Sequence, residues 1–244
     1  NPCSDIDLLF LLKGKISPGT DQYIQEALSI LWGFGMELGH SCRTIKDCLK
    51  LAKEDLTIKT SLIGTRYLVG DHDLFEALRR SIITTLLNKD AKEFLDSKLK
   101  ERYAGLGEGV ACHAEPDIKN GPGGLRDYHV ALWAVAVCFG AQSFREIGHK
   151  DMISDQELDV LDHAVDFSLR VRNELHYLMN KKCDVLTLDI QKELAVNLQY
   201  VEKNGVPQVE LFMHDYFFHA THINDFCEMI FDKCRDSKHS IKKV

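Results

Sequence analysis

Two aspartates near the start of the chain, in Ser4-Asp5-Ile6-Asp7-Leu8-Leu9-Phe10, carry the sharpest chemical suggestion. Residues two apart on a strand point to one face, so Asp5 and Asp7 stand side by side while Ile6 and Leu8 turn to the core. Two carboxylates that close repel unless a cation lies between them. Magnesium bridging protein carboxylates and nucleotide phosphates is the usual resolution, and two such ions can align an attacking oxygen and stabilise a leaving pyrophosphate. A third carboxylate would complete the site. Glu37, the acidic residue of the next strand-like segment, is one candidate and Asp55 the other; Asp55 equally suits the N-cap of a helix beginning Leu56-Thr57-Ile58.

A second segment, Glu115-Pro116-Asp117-Ile118-Lys119-Asn120-Gly121-Pro122-Gly123-Gly124-Leu125-Arg126-Asp127-Tyr128-His129, combines turn residues with charge. Glycine and proline account for a sharply turning loop, with Gly124 leading into a helix. They do not account for the charges of Glu115, Asp117, Lys119, Arg126 and Asp127 around it. A loop entering a helix N-terminus offers backbone N–H groups to an anion, and Lys119 adds charge. The plain alternative is a solvated connector whose charges pair with one another. No G-K-[ST] follows the glycines, so this is not a P-loop.

The elements that must position these residues follow from periodicity. Ile6 to Leu12 is a near-continuous aliphatic run ended by Lys13-Gly14-Lys15, the pattern of a buried strand and a turn. A helix capped by Thr20 or Asp21 runs to about Trp32, and residues 35–44 form a second strand. Its alternation places Met36, Leu38, His40 and Cys42 on one face and Glu37, Gly39, Ser41 and Arg43 on the other. Helices are expected near 45–53, 55–69, 72–87, 90–104, 125–139, 154–180, 189–200 and 207–235. The fold class is therefore α+β and mostly α, with domains at 1–88 and 89–244.

Composition sets the limits. The chain has 244 residues, 45% hydrophobic and 27% charged, enough for one large domain or two modest ones. A formal net charge of -7 with scattered basic residues disfavours nucleic acid as the main partner. No apolar run approaches the roughly 20 residues of a membrane helix. Neither a secretory signal pattern nor an initial methionine is present, and the chain reads as a fragment. The eight cysteines include no C-x-x-C pair and sit in apolar helical patterns, as expected in a reducing cytoplasm.

Several of these strings resemble one family. Ser4 to Leu9 resembles the metal-binding strand of the DNA polymerase beta-like nucleotidyltransferases. Gly39-His40-Ser41-Cys42-Arg43-Thr44, Asp55-Leu56-Thr57, Leu62 to Asp71 and above all Glu115 to His129 are similar to segments of bacterial PII uridylyltransferases, as is Arg170-Val171-Arg172-Asn173-Glu174-Leu175-His176. The resemblance covers essentially the whole chain. It implies transfer of UMP from UTP to a tyrosine of the PII signalling protein, with Asp5 and Asp7 holding Mg²⁺. The residues themselves offer Glu37 or Asp55 as the further carboxylate and Ser4 at the nucleotide, and the placement of Lys119 and Arg126 in the connector puts them at the nucleotide or the acceptor. Two departures matter. The family's E-A-R reads Gly64-Thr65-Arg66 here, and its glycine-rich triphosphate segment lies upstream of Asn1, so these residues alone are expected to turn over weakly. Adenylyl transfer to a protein such as glutamine synthetase, and an inactive scaffold, are the alternatives. His214-Asp215, with His219 and His222 nearby, is expected to be structural beside the core-facing Tyr216-Phe217-Phe218 and Phe226, without deuridylylating activity.

Overall fold

A computed structural model describes residues 2–87, 91–105, 114–148 and 152–241. The chain divides into two compact units, Ser4–Ala91 and a larger one made of Asn1–Cys3 with Lys92–Val244. The architecture is mostly helical with one small parallel sheet.

The smaller unit opens with β1 (Ile6–Leu12), α1 (Pro18–Gly33) and β2 (Leu38–Thr44), the two strands pairing in parallel from Ile6↔Leu38 to Leu12↔Thr44. Parallel strands need a crossover, and α1 supplies it. The cap of α1 is Ser17, whose Oγ accepts from Thr20 N at 3.1 Å, and not Thr20 or Asp21 as expected. Ser17 wins because Pro18 follows it at the first helical position, where a missing N–H costs nothing. β2 starts three residues later than its pattern suggests. Phe34 and Gly35 (φ +75°) instead wind off the end of α1, with Gly35 N donating to Trp32 O at 2.9 Å.

Neither strand contains a fully buried residue, and Ile6 is 41% exposed, in contrast to the buried strand expected of an aliphatic run. The core of this unit is built between helices instead: Ile24 and Leu28 of α1, Cys48 and Ala52 of α2 (Ile45–Glu54), Leu62 of α3 (Leu56–Ile63), and Leu78 and Ile82 of α4 (His72–Ile82). α4 continues into one π-helical turn, Ile83–Leu87. The single helix expected over 55–69 is shorter, because Gly64 ends α3 by donating to Thr60 O at 3.1 Å.

The larger unit contains α5 (Ala91–Gly105) from its second residue on, α6 (Leu125–Phe139), α7 (Phe144–Gly148), α8 (Asp155–Met179), α9 (Leu188–Asn197) and α10 (Gln208–Ile241). The 34-residue α10 is the spine against which α6, α8 and α9 pack. One end of α10 (Ile223, Cys227, Ile230, Phe231) joins a core with α5, α6, α7 and the first half of α8. Its other end (Phe212, Tyr216, Ala220) joins a second core with Val171, Leu175 and Leu194. Phe218 does not share the expected inward stripe: it is 53% exposed, since the buried positions follow 212, 216 and 220 at helical spacing. No disulfide joins any two of the seven described cysteines. Among the described residues no helix is long and apolar enough to cross a membrane.

Candidate functional site

The carboxylate face is set by strand register. Asp7 pairs with Gly39, and continuing that pairing back by two residues places Asp5 opposite Glu37, whose carbonyl accepts from Ile6 N at 2.9 Å. Paired residues of parallel strands share a face, so Asp5, Asp7 and Glu37 stand together. Trp32 of α1 meets His40 edge-on with ring centroids 6.1 Å apart, which puts α1 on the opposite face. All three carboxylates are exposed.

Gly39 matters here through its missing side chain. The Asp7 carboxylate leans over Gly39 so closely that a Cβ built there would collide with Asp7 Oδ1. Asp55 lies elsewhere in purpose: its Oδ1 accepts from Thr57 N at 2.7 Å and Ile58 N at 3.2 Å, capping α3. Ser4, beside Asp5 in sequence, has a buried Oγ with no hydrogen-bond partner among the described residues. No group of three His, Cys, Asp or Glu side chains among the described residues is arranged as a ready-made metal cage. Two exposed carboxylates are the oxygen-ligand chemistry that magnesium takes, since that ion keeps waters and substrate phosphates in its coordination shell.

The glycine-rich connector, in the larger unit, is a knot of satisfied groups. Asp117 Oδ1 accepts from Lys119 N at 2.8 Å and Asn120 N at 2.7 Å, an Asx-type turn. Glu115 Oε1 accepts from Leu188 N at 2.9 Å and so serves the first turn of α9, whose own cap residue, Thr187, makes no side-chain bond. Pro116 and Ile118 pair in antiparallel fashion with 184–186 through Leu186 N→Pro116 O at 2.9 Å and Ile118 N→Asp184 O at 2.8 Å. Gly123 (φ +69°) lies against the backbone of Ala220, where any side chain would clash.

The start of α6 offers no free amides. Gly124 N, Leu125 N, Arg126 N and Asp127 N donate to Gly121, Ile118, Lys119 and Gly124 carbonyls at 2.8–3.1 Å, and Gly123 N donates to Asp127 Oδ2 at 2.9 Å. The amide nest anticipated from the glycines is thus consumed by the loop itself. Asp127 is also spoken for, receiving Arg102 Nε at 2.9 Å and Nη2 at 3.2 Å in a buried pair that Asn224 and Glu228 extend. Burial opposes the Arg102 charge, but the bonds and charges of Asp127 and Glu228 outweigh it and raise its pKa.

Glu115, Asp117 and Asp127 therefore have structural duties, and Lys119 and Arg126 do not. Neither cation has a side-chain hydrogen bond or ion pair among the described residues, and Arg126 is exposed. Burial, reinforced by the charges of Arg172, Lys182 and Arg126 against that of Asp184, pushes the Lys119 ammonium below its ordinary value. An anion at this position would relieve that strain.

Sequence reading missed two ionic clusters, the one around Arg102 and another at the C-terminal half of α8. Arg172 Nε donates to Asp184 Oδ1 at 2.6 Å, and His176 Nε2 lies 3.5 Å from the same oxygen. Burial would raise the Asp184 carboxyl, but Arg172, His176 and Lys119 outweigh it and hold it below the usual aspartate range. Burial keeps His176 and His219 below the ordinary histidine value. The signs give a pH profile. The unfolded histidines take up protons below about pH 6.5 while the folded ones resist, so stability falls on acidification from about pH 7. Asp184 adds a second loss below about pH 4, once the unfolded chain protonates more readily than the folded. Thermal unfolding at pH 7.5, 5.5 and 3.5 is expected to show both steps; a flat profile between the first two would refute the histidine assignment.

His214 Nδ1 lies 3.2 Å from Asp215 Oδ1, Tyr200 OH donates to Asp215 Oδ2 at 2.9 Å, and His219 stacks on Phe167 at 4.4 Å.

Comparison with known proteins bears on these residues directly. The family model described as GlnD PII-uridylyltransferase matches residues 93–231, which include the connector and α8. The bifunctional uridylyltransferase/uridylyl-removing enzyme of Rhodospirillum rubrum is 35% identical over 240 residues, 96% of this chain and 26% of the relative. Enzymes of the same description from Cereibacter sphaeroides and Azospirillum brasilense are 37% and 35% identical over 227 residues, 92% of the chain and 24% of each relative. The chain thus spans about a quarter of the length of these relatives. No solved structure matches it significantly. With the family model covering more than half of its residues, the chain belongs to the PII-uridylyltransferase family.

Proposed function

We propose that this protein takes part in magnesium-dependent transfer of UMP from UTP to a tyrosine of the PII signalling protein, in the cytoplasm. The observation that carries the reading is the Asp7 carboxylate lying over Gly39, on the sheet face that register also gives to Asp5 and Glu37. In this reading a tyrosine oxygen attacks the α-phosphorus of UTP, the new P–O bond forms, and the bond to pyrophosphate breaks. Magnesium, held by Asp5 and Asp7, would supply alignment and charge neutralisation. Glu37 is favoured over Asp55 as the further carboxylate because Asp55 is engaged as a helix cap. Ser4, whose hydroxyl has no hydrogen-bond partner among the described residues, is assigned to the nucleotide.

Lys119 and Arg126 bind phosphate of the nucleotide or an acidic group of the acceptor, since they are the charged connector residues whose side chains make no hydrogen bond or ion pair among the described residues. Charge reversal, Lys119→Glu, is expected to raise the nucleotide KM about tenfold or more, in line with the loss of one charge-assisted contact. An unchanged KM would sink the assignment. Isothermal titration of UTP and of ATP, each with magnesium, tests the whole reading beside Asp5→Asn/Asp7→Asn. Magnesium-dependent UTP binding that the variant loses supports it. A preference for ATP would move the reaction to adenylyl transfer, and binding of neither would leave a scaffold.

A further inference from the structure

We infer that His176, in the last turn of α8, is a positioning residue for the metal-binding aspartates and acts through the backbone of Cys3. The inference rests on the assignment of Asp5 and Asp7 to magnesium. Cys3 N donates to His176 Nδ1 at 3.3 Å, across 173 positions of sequence. Cys3 Sγ donates to the His176 carbonyl at 3.8 Å. That carbonyl is among the last four of α8, which have no acceptor role within the helix. Backbone and side chain of Cys3 thus both end on one residue.

What these contacts hold is the approach to the carboxylates. Asp5 follows Cys3 by two positions, and Ile6 N is itself fixed by Glu37 O at 2.9 Å. Only Ser4 and Asp5 stand between the two anchored amides, so Asp5 has few backbone conformations open to it. Released at Cys3, the segment would gain freedom that must be lost again whenever the aspartates close on a metal ion.

His176 is suited to anchoring. Its residue is 0% exposed, and its Nε2 lies 3.5 Å from Asp184 Oδ1. Asp184 is held in turn by Arg172 Nε at 2.6 Å, and its carbonyl accepts from Ile118 N at 2.8 Å. A neutral imidazole has one donor and one acceptor nitrogen. A carboxylate beside Nε2 draws the proton there, which leaves Nδ1 with the lone pair that the Cys3 N–H requires. Burial holds the ring below the ordinary histidine value and so favours this neutral form. An apolar side chain would fill the same interior without desolvating an imidazole, so packing alone does not account for the residue.

Two pairs of variants test the role by calorimetric titration of UTP with magnesium. Asn carries its amide oxygen as many bonds from Cβ as Nδ1 of histidine, and Gln carries its amide nitrogen as many as Nε2. His176→Asn therefore keeps an acceptor for Cys3, whereas His176→Gln keeps only the donor to Asp184. Magnesium-dependent UTP binding is expected to weaken roughly tenfold in His176→Gln, the lower end of the cost of losing support for a metal ligand, and to stay near the parent's in His176→Asn. Cys3→Pro removes the N–H and Cys3→Ala keeps it; both lack the thiol and leave the buried ring in place. A loss confined to Cys3→Pro is expected, and it repeats the contrast without altering the core. Amide exchange over residues 4–6, faster in His176→Gln than in His176→Asn, reads the anchoring without nucleotide. A packing role alone predicts that binding follows Tm in both His176 variants. That outcome, or binding unmoved in His176→Gln and Cys3→Pro, would overturn the positioning role and leave the uridylyl reading standing. A parent chain that binds no UTP would remove that reading, and the positioning role with it.

Discussion

Arg102→Leu is expected to lower the unfolding free energy by about 3–5 kcal/mol, the usual consequence of stranding a buried charge. The stranded group is Asp127, 3% exposed, which would keep the Gly123 N–H as a donor but lose both guanidinium bonds. For a chain of this size that loss corresponds to a fall in Tm of roughly 6–20 °C. It is large against the roughly 5–15 kcal/mol that holds a typical domain together. The effect should not be confined to α5. Arg102 also reaches Asn224 and Glu228 on α10, and Asp127 holds the Gly123 turn that packs on Ala220, so one side chain ties α5, the connector and α10. Urea unfolding of Arg102→Leu, Asp127→Asn and the double variant would measure the coupling. The Asp127→Asn substitution keeps an acceptor for Gly123 N while removing the unpaired charge, so the double variant is expected to recover part of the loss. A single variant within about 1 kcal/mol of the parent would show that the network is dispensable.

Asp7→Asn is expected to reduce magnesium-dependent UTP binding by about 100-fold or more, beyond what loss of a supporting contact to a metal ligand costs. Gly39→Ala provides the sharper version because it leaves every carboxylate in place. An added Cβ would force the Asp7 carboxylate off Gly39, and Asp7 is the exposed end of a flexible side chain that can swing away at little cost to the fold. The expected signature is a Tm within a few degrees of the parent and roughly tenfold weaker binding, since a displaced ligand cannot complete the same coordination. Calorimetric titration with and without magnesium reads both variants. Undiminished binding in Gly39→Ala would mean that the nucleotide is held with Asp7 in another orientation.

These two residues also show how far the sequence reaches. The D-x-D spacing on an aliphatic strand is legible because strand periodicity is local: residues two apart share a face whatever surrounds them. Helix positions such as 45–54, 125–139 and 155–179 follow from the same local rule and from caps such as the Ser154–Glu157 box. The clustering of turn residues at 115–129 was visible for the same reason. What each charge in that cluster does was not. Glu115 serves a helix 73 residues away, Arg102 meets Asp127 and Glu228 at separations of 25 and 126, and no spacing rule couples such positions. Which carboxylate joins Asp5 and Asp7 depends on the register of two strands separated by a helix. The burial of β1 depends on what lies beside it, so an aliphatic run there did not ensure a buried strand. Local chemistry and periodicity were the sequence's to determine, because they depend on neighbours a few bonds away. Pairing, burial and the freedom of Lys119 and Arg126 were decided by tertiary contacts, because only folding brings distant donors and acceptors together.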